Sequence, residues 1–438
     1  MGLARFKAMP QLPWSRLDNA AKIFPPTSSA RDTKVFRLAC TLTQPVEPQP
    51  LAAALEATLE QFPFYRCALK KGLFWYYLEN RRAPARLAEE HTPPCAPLYR
   101  GDGRDPLYRV SYWRRRINLE VYHALADGTG AMRFLQLLVD EYLRRVHPES
   151  AEGAPLPAGE HASGAQRFDD SFARYYRPGQ GVLPPRAPAA YHLRGQRWPG
   201  RRLSVIEGRM SASAVLEQAH RYGATMTVFL IAVLIQSIGA QMPLGARRRP
   251  VVVTVPVNLR SYFPSLTARN FFGVVEVGYN FSARSGAFED IVAEVGRQLA
   301  EALCAERLSE RMNRMAGLER MLLLRLVPLA LKIPVLRLFN LLSEREITAS
   351  FSNLGRITLP GWQRQWVEGF DVFLSTRRLQ VCLVSYADAL NISFTTPLVS
   401  ADVQRGFFAR LAGMGIRVEA ASNLGQLEGE GGAKDAVL

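Results

Sequence analysis

At 438 residues the chain is long enough for two domains of about 200 residues each, and its 48% hydrophobic content can fill a large core. The formal net charge of +16 favours anionic partners such as acidic lipid, a phosphorylated cofactor or nucleic acid. The arginines are scattered singly and in short groups, without a basic helix or a nucleic-acid-binding motif, which argues against nucleic acid as a partner.

The five cysteines are widely spaced, odd in number and without a C-x-x-C pair. This pattern is typical of reduced thiols in the cytosol. Residues 1–24 contain no apolar run that resembles a signal peptide. We therefore expect a cytoplasmic protein.

The first half of the chain alternates strand-like and helix-like patterns. A strand is predicted at 35–42, a helix at 51–62 and a further strand at 72–79. A hairpin follows, with its turn at 114–116. The amphipathic helix predicted at 129–146 places Met132, Leu135, Leu138, Val139 and Tyr142 on one face.

A Pro/Gly/Ala-rich stretch at 148–200 fits a crossover between an N-terminal half, 1–147, and a C-terminal half, 201–438. The second half again mixes strands and helices, so the fold class is α/β. Its predicted elements are a strand at 202–210, an apolar helix at 213–238, a strand buried on both faces at 250–257, a strand at 271–279, helices over roughly 286–340, four later strands and a final helix at 400–415.

Two apolar segments need to be compared with membrane spans. Residues 223–242 are uncharged, but their strongly apolar part is short, and a buried core helix fits better. Residues 321–342 contain Pro328 and Pro334 and three basic residues. They do not fit a span, but they could lie against lipid or line an acyl groove. We predict a helix there, broken near one of the two prolines.

The stretch EVYHALADGTG, residues 120–130, carries the candidate chemistry. It places His123 at a strand end, where a tight turn can leave one ring nitrogen open to a substrate proton. Asp127 can brace the loop, and Gly128 permits a sharp turn into the next helix. On these residues alone, an ordinary hydrogen-bonded histidine ahead of a helix cap remains an equal interpretation.

Other chemistries fit the sequence less well. There is no G-x-S-x-G motif, which argues against a serine hydrolase. His123 and Asp127 have no evident third ligand among six scattered histidines, so no metal site is expected. The short GDG and GTG stretches are too short for a dinucleotide-binding loop.

Five stretches in order resemble the condensation-domain and chloramphenicol-acetyltransferase-like superfamily of acyltransferases, and its bacterial alcohol acetyltransferase branch in particular. The resemblance covers nearly the whole chain. The stretches are residues 120–143 around H-x-x-x-D-G; LAAALEATLEQFPFYRCAL, with Pro63 and Arg66; VPVNLRSYFP, with Arg260; NFFG at 270–273; and FSNLGRI at 351–357.

The resemblance implies two similar chloramphenicol-acetyltransferase-like halves, each a mixed sheet with helices, and an active-site tunnel between them. It implies that His123 is the general base and that Asp127 forms a structural ion pair with Arg260 of the other half, while Gly128 serves the loop geometry. Many members have two consecutive histidines, and this chain has Tyr122 at the first position. The residues that would contact substrates are Tyr122, Thr129, Phe271, Ser352 and Asn353, the last two near the thioester or its oxyanion.

The function so implied is acyl transfer from a thioester, either an acyl-CoA or an acyl carrier protein, to an alcohol or amine. No permanently bound cofactor, a monomer and possible peripheral membrane contact complete the expectation. The alternative is a catalytically silent, condensation-like protein that binds an acyl carrier or lipid. Tyr122 favours this alternative, whereas the intact His123, Asp127 and Arg260 disfavour it.

Overall fold

The computed structural model describes residues 14–81, 85–101, 103–154, 171–177, 187–320 and 326–429. Strands and helices alternate in both halves of the chain, as the sequence predicted. The helices of the first half and the crossover are α1 (Phe24–Thr27), α2 (Pro48–Gln61), α3 (Gly128–Val146) and α4 (Ser171–Tyr175). The strands are β1 (Trp14–Arg16), β2 (Val35–Leu42), β3 (Cys67–Lys71), β4 (Tyr76–Asn80), β5 (Leu87–Glu89), β6 (Tyr108–Trp113) and β7 (Arg116–Tyr122).

The second half contains the longer strands and most of the helices. Its helices are α5 (Ala212–Arg221), α6 (Met226–Ala240), α7 (Phe288–Ala302), α8 (Ala305–Arg320), α9 (Leu329–Glu344), α10 (Asp402–Gly413) and α11 (Leu424–Gly429). Its strands are β8 (Ser204–Ser211), β9 (Val251–Asn258), β10 (Phe272–Tyr279), β11 (Ala349–Ile357), β12 (Val367–Leu374), β13 (Leu379–Tyr386), β14 (Ala389–Thr396) and β15 (Glu419–Ser422).

The strands form two large mixed sheets and one small one. The first sheet has the order β12-β2-β7-β6-β5, the second has the order β10-β9-β11-β13-β14-β8-β15, and the small sheet has the order β1-β4-β3. Strand β12 pairs antiparallel with β2, with Phe370 opposite Cys40, although it comes from the C-terminal part of the chain. Sheet membership therefore crosses the predicted division at residue 201, because β12 completes the sheet of the first half.

Apolar side chains of the sheets and helices form two hydrophobic clusters, one for each large sheet. The five apolar positions predicted on one face of α3, between Met132 and Tyr142, are all buried. In the second cluster, α6 is buried almost all round, as predicted for residues 223–242. The five cysteines are unpaired, and all except Cys304 are buried.

The helix predicted at 213–238 is divided, which corrects that prediction. Helices α5 and α6 meet at an angle of 81°. Gly223 has a φ of 62°, and the backbone N–H groups of Gly223 and Ala224 donate to the carbonyls of His220 and Ala219, which closes α5. The Thr225 hydroxyl then accepts from the N–H of Val228 and caps α6. Hydrophobic periodicity extends across the break because both helices pack against one core.

No single helix in the described ranges is long and apolar enough to cross a membrane. The bent pair α5 and α6 passes such a test together, on length and composition only.

Helix α9 occupies most of the segment predicted at 321–342, of which residues 321–325 lie outside the described part. The helix begins directly after Pro328, so the predicted interruption near this proline is confirmed. Pro334 lies inside the helix without ending it. Only Leu329 and Lys332 are buried, so α9 contacts the body of the protein along a narrow stripe.

The start of α3 is fastened to the second half by Asp127 and Arg260. The Asp127 Oδ1 atom caps α3 by accepting from the N–H of Gly130 at 2.8 Å. Its Oδ2 atom accepts from Nη1 of Arg260 and from the N–H of Phe271, each at 2.8 Å. Both charged side chains are 6% exposed. The predicted buried ion pair between the halves is confirmed.

The same joint holds the backbone of α3 against a loop of the second half. A Cβ atom at Gly130 would lie 1.9 Å from the carbonyl oxygen of Ala268. This partner is main chain, which cannot rotate away as a flexible side chain could. Gly130 therefore permits the close approach of the two halves at the helix terminus.

Removing one partner of the joint should leave the other charge buried and unpaired. We expect Asp127→Asn and Arg260→Met each to lower the free energy of unfolding by about 3–5 kcal/mol. The double variant should lose much less than the sum of the two losses, because the two side chains interact directly. Chemical denaturation of the four proteins of this cycle measures the coupling. Strictly additive losses would contradict the interpretation of the pair as a fastening.

Gly130→Ala should destabilise the protein by about 1–3 kcal/mol or more, since the added methyl group overlaps the main chain. In an open helical position, the same change would stabilise the helix by up to about 1 kcal/mol. Among the described residues, no atom beyond its chain neighbours and helix backbone would lie within 4 Å of a Cβ at Gly413 in α10, so Gly413→Ala is the matched control. Thermal denaturation should separate the two variants. Equal melting temperatures would show that the α3 terminus can move away from Ala268.

Candidate active site

His123 follows directly after β7, where the backbone is still held by the neighbouring strand. Its N–H donates to the carbonyl of Lys34 at 2.8 Å, so it continues the pairing of β7 with β2. The turn that follows is closed by the N–H of Leu125, which donates to the carbonyl of Tyr122. The sheet and the Asp127 cap therefore fix the backbone on both sides of His123.

The imidazole of His123 lies among three aromatic rings. Phe24 stacks on it at a centroid distance of 4.5 Å, and Phe36 and Phe272 follow at 5.2 and 5.4 Å. Burial lowers the pKa of His123. Smaller effects of its own backbone carbonyl, Asp127 and the Asn270 amide act in the opposite direction. The ring is therefore neutral at pH 7 and can accept a proton.

A hydrogen-bond chain orients the ring. Nδ1 of His123 lies 3.2 Å from Oδ1 of Asn270, and Nδ2 of Asn270 donates to Oδ2 of Asp18 at 3.2 Å. The carboxylate of Asp18 requires a donor, which turns the amide oxygen of Asn270 towards His123. In the neutral ring, Nδ1 then carries the proton and Nε2 has the free lone pair.

Asp18 is itself fixed from two sides. Its Oδ1 atom accepts from the N–H of Ala21 at 2.7 Å, and Nε of Arg269 lies 3.6 Å from Oδ2. Sequence reasoning singled out neither Asp18 nor Asn270 as a site residue. The signal for Asn270 was present, since it is the first residue of the NFFG stretch, whereas Asp18 lies in a segment without a recognisable motif.

Three of the predicted site residues, Gly128, Thr129 and Phe271, lie in or next to the first turn of α3. Gly128 is the first residue of the helix, and the side chain of Leu354 lies 2.8 Å from the position of a Cβ there. Thr129 is half-buried in the first turn. Phe271 is fully buried and packs edge-on against Phe172 at 5.2 Å, so its contact with Asp127 is made by its backbone.

Tyr122 points into the core beside the site. Its ring is fully buried and stacks on Tyr99 at 5.3 Å. Its hydroxyl lies 2.8 Å from Oγ of Ser28, next to the α1 turn that carries Phe24. The side chain therefore supports the wall of the site, and its predicted contact with substrate remains a prediction.

Ser352 and Asn353 lie on β11, which passes beside the start of α3. Oγ of Ser352 accepts from Nε2 of Gln380 at 3.1 Å, and Nδ2 of Asn353 donates to Oγ1 of Thr227 at 3.0 Å. A register irregularity follows Asn353, and Leu354 at this point reaches Gly128. Leu354, the residue after Asn353, thus contacts the first residue of α3, whereas the polar atoms of Ser352 and Asn353 bond elsewhere.

Within the residues that the structure describes, no group of three or more His, Cys, Asp or Glu side chains is arranged to hold a metal ion. The arrangement around His123 instead offers a neutral, oriented imidazole in an apolar enclosure. Such a group can remove a proton from a hydroxyl or amine.

Neither a protein-family model nor a curated protein sequence matches the chain. Solved structures do match. TRI101 of Fusarium graminearum, solved with coenzyme A and deoxynivalenol, has a TM-score of 0.65 and 10% identity over 93% of this chain and 99% of its own. The TRI3 trichothecene 15-O-acetyltransferase of Fusarium sporotrichioides has a TM-score of 0.59 and 13% identity over 93% and 98%.

A third match is the starter condensation domain of rhizomide synthetase, solved with C8-CoA, with a TM-score of 0.58 and 13% identity over 92% of this chain and 94% of its own. At these identities the similarity concerns the fold alone. The chain has the two-lobed α/β fold of the condensation-domain and chloramphenicol-acetyltransferase-like acyltransferases, as the sequence predicted.

Proposed function

We propose that the protein is an acyltransferase that moves an acyl group from a thioester donor to an alcohol or amine acceptor, with His123 as general base. The observation that carries the proposal is the neutral, oriented imidazole at the joint of the two halves. The structures of similar fold include an acetyltransferase and proteins solved with coenzyme A or an acyl-CoA. This supports an acyl-CoA or acyl carrier protein as co-substrate.

In the proposed reaction, Nε2 of His123 removes the proton from the acceptor hydroxyl or amine. The acceptor attacks the thioester carbonyl and forms a tetrahedral oxyanion. When this intermediate collapses, the carbon–sulfur bond breaks and the imidazolium returns its proton to the leaving thiolate. The ester or amide and the free thiol leave, and His123 is again neutral.

The residues around His123 have separate parts in this proposal. Asn270 keeps the proton on Nδ1, so Nε2 faces the acceptor. Asp127 and Arg260 act as positioning residues, because their side chains bond to backbone groups, to each other and to the side chain of Asn258 rather than to the imidazole. Ser352 and Asn353 remain our candidates beside the thioester or its oxyanion, because β11 passes Gly128.

His123→Ala should lower the turnover of free-thiol release by about 10²- to 10⁴-fold, the usual contribution of a positioned base. The assay tests a panel of acyl-CoAs against alcohols and amines. His220 is exposed on α5, and His220→Ala is the matched control with unchanged turnover. Full turnover in a folded His123→Ala variant would refute the role of the histidine. Acyl-CoA binding without thiol release for any acceptor would favour the silent binding protein.

The pH dependence tests the orientation of His123. Because burial lowers its pKa, activity should be lost on acidification only below the ordinary histidine value of about 6.5. Asn270→Ala removes a hydrogen bond that favours the protonated ring, so the acidic limb of kcat/KM should move to still lower pH.

The same variant should lower kcat by about 10- to 100-fold, by analogy with the loss when a group that orients a metal-bound histidine is removed. Asn313, in α8 of the second half, is another buried asparagine, and its amide oxygen accepts from the N–H of Arg177 in the crossover. Asn313→Ala is therefore a control for the loss of a buried amide. An acidic limb that is identical in the parent and in Asn270→Ala would show that Asn270 does not act through the imidazole.

A further inference from the structure

Helix α9 exposes an apolar face that has no covering element in the described part of the chain. Leu331, Val335, Leu338 and Phe339 follow the spacing i, i+4, i+7 and i+8, which places them on one side of the helix. Each is 59–66% exposed. The buried Leu329 and Lys332 lie on the side that contacts the protein. Four large apolar residues of the helix therefore face outwards, whereas Leu329 and Ile333 pack against the core.

The hairpin between β3 and β4 extends this face. The N–H of Leu329 donates to the carbonyl of Leu73 at 2.8 Å, and Nζ of Lys332 donates to the carbonyl of Phe74 at 3.2 Å. The side chains of Leu73 and Phe74 are both exposed at this contact. We call these two residues, with Leu331, Val335, Leu338 and Phe339, the apolar patch.

Exposed large hydrophobic side chains are concentrated in α9 and the adjacent hairpin. Of the fifteen large hydrophobic side chains exposed in the described ranges, six belong to residues 326–341 and two to this hairpin. Scattered exposed hydrophobic residues need no explanation, but a contiguous cluster marks a surface that binds something apolar.

The charges around the apolar patch indicate the partner. Helix α9 carries two basic residues, Lys332 and Arg337, and one acidic residue at its C-terminal end, Glu344, which pairs with Arg377 at 3.5 Å. Lys332 is buried against the protein, whereas Arg337 is exposed. Lys71 precedes Leu73 in the hairpin and is exposed, whereas Lys70 pairs with Glu79 at 3.7 Å. The whole chain has a formal net charge of +16. Apolar side chains flanked by basic ones match a membrane surface that contains anionic lipid.

A second copy of the chain fits this surface less well. A symmetric dimer through the patch would place two copies of the same basic-edged surface face to face. Like charges at a contact oppose association. We propose that the apolar patch docks the protein on an anionic lipid membrane, with α9 lying in the plane of the surface.

This docking would place the lipid next to the candidate active site. Nε of Arg337 on α9 donates to the carbonyl of Pro26 in α1 at 2.8 Å. Phe24 of the same short helix stacks on the imidazole of His123. One short helix thus separates the docking face from the proposed base, a position from which an apolar acyl chain or acceptor could pass between membrane and site.

The experiment measures cosedimentation of the full chain with vesicles of phosphatidylcholine, with and without phosphatidylglycerol. The parent should bind the anionic vesicles. Leu338→Glu and Phe339→Glu should each lower the binding constant at least about tenfold, since a large apolar side chain no longer enters the lipid. Leu244 is 80% exposed outside the patch, and Leu244→Glu is the matched control that should bind like the parent.

The electrostatic part has its own variant. Lys71→Gln should weaken binding about fivefold, and only to vesicles that contain phosphatidylglycerol. Failure of the parent to bind anionic vesicles, or equal binding by Leu338→Glu and Leu244→Glu, would overturn the proposal. A dimer in sedimentation equilibrium that Phe339→Glu abolishes would assign the patch to a second copy instead. Binding is measured without substrates, so its outcome is independent of whether His123 transfers acyl groups.

Discussion

The buried ion pair between Asp127 and Arg260 is the constraint on which the site depends. One carboxylate caps α3, holds the backbone of Phe271 and pairs with the guanidinium of the other half. Arg260 in turn donates to the carbonyls of Thr267 and Arg269, which fixes the loop that precedes β10. Since both charges have left water, neither can be satisfied unless the two halves meet in this one arrangement. The joint therefore couples the fold of one half to that of the other.

The orientation of the candidate base follows from this joint. Asn270 lies next to Phe271, whose backbone is bound by Asp127, so the amide that contacts His123 belongs to the fastened loop. The backbone of His123 comes from the first sheet and its hydrogen-bond partner from the second half. A change at Asp127 or Arg260 would thus affect the imidazole through Phe271 and Asn270. The residues that position the imidazole are therefore distinct from His123 itself.

The aromatic enclosure has a consequence for chemistry as well as for packing. Phe24, Phe36 and Phe272 come from a short helix, a strand of the first sheet and a strand of the second. Together they exclude water from much of the imidazole and lower its pKa, which keeps the ring unprotonated at neutral pH. The same short helix contacts α9, so the wall of the site lies directly against the helix that carries the outward apolar face.

The sequence by itself determined the local elements and the pairing of the key charges. The apolar stripe of α3 and the uniform hydrophobicity of α6 decide burial through helical spacing, which adjacent residues alone establish. The resemblance of five ordered stretches to one superfamily predicted the two-lobed fold, and it also predicted that Asp127 and Arg260 would meet, which the structure confirms. In each case the information lies within a short window or in a recognisable motif.

Contacts between segments that are distant in sequence were decided only by the tertiary structure. Strand β12 joins the first sheet across more than half the chain, and no periodicity encodes which sheet a strand will enter. The contact of Asn270 with Asp18 joins residues that are 252 positions apart, and the stacking of Phe24 on His123 has no sequence signature. The sequence also did not determine that an apolar face of α9 would point away from the protein. Helical spacing shows that a stripe is apolar, but only the packed neighbours decide whether protein, lipid or water lies against it.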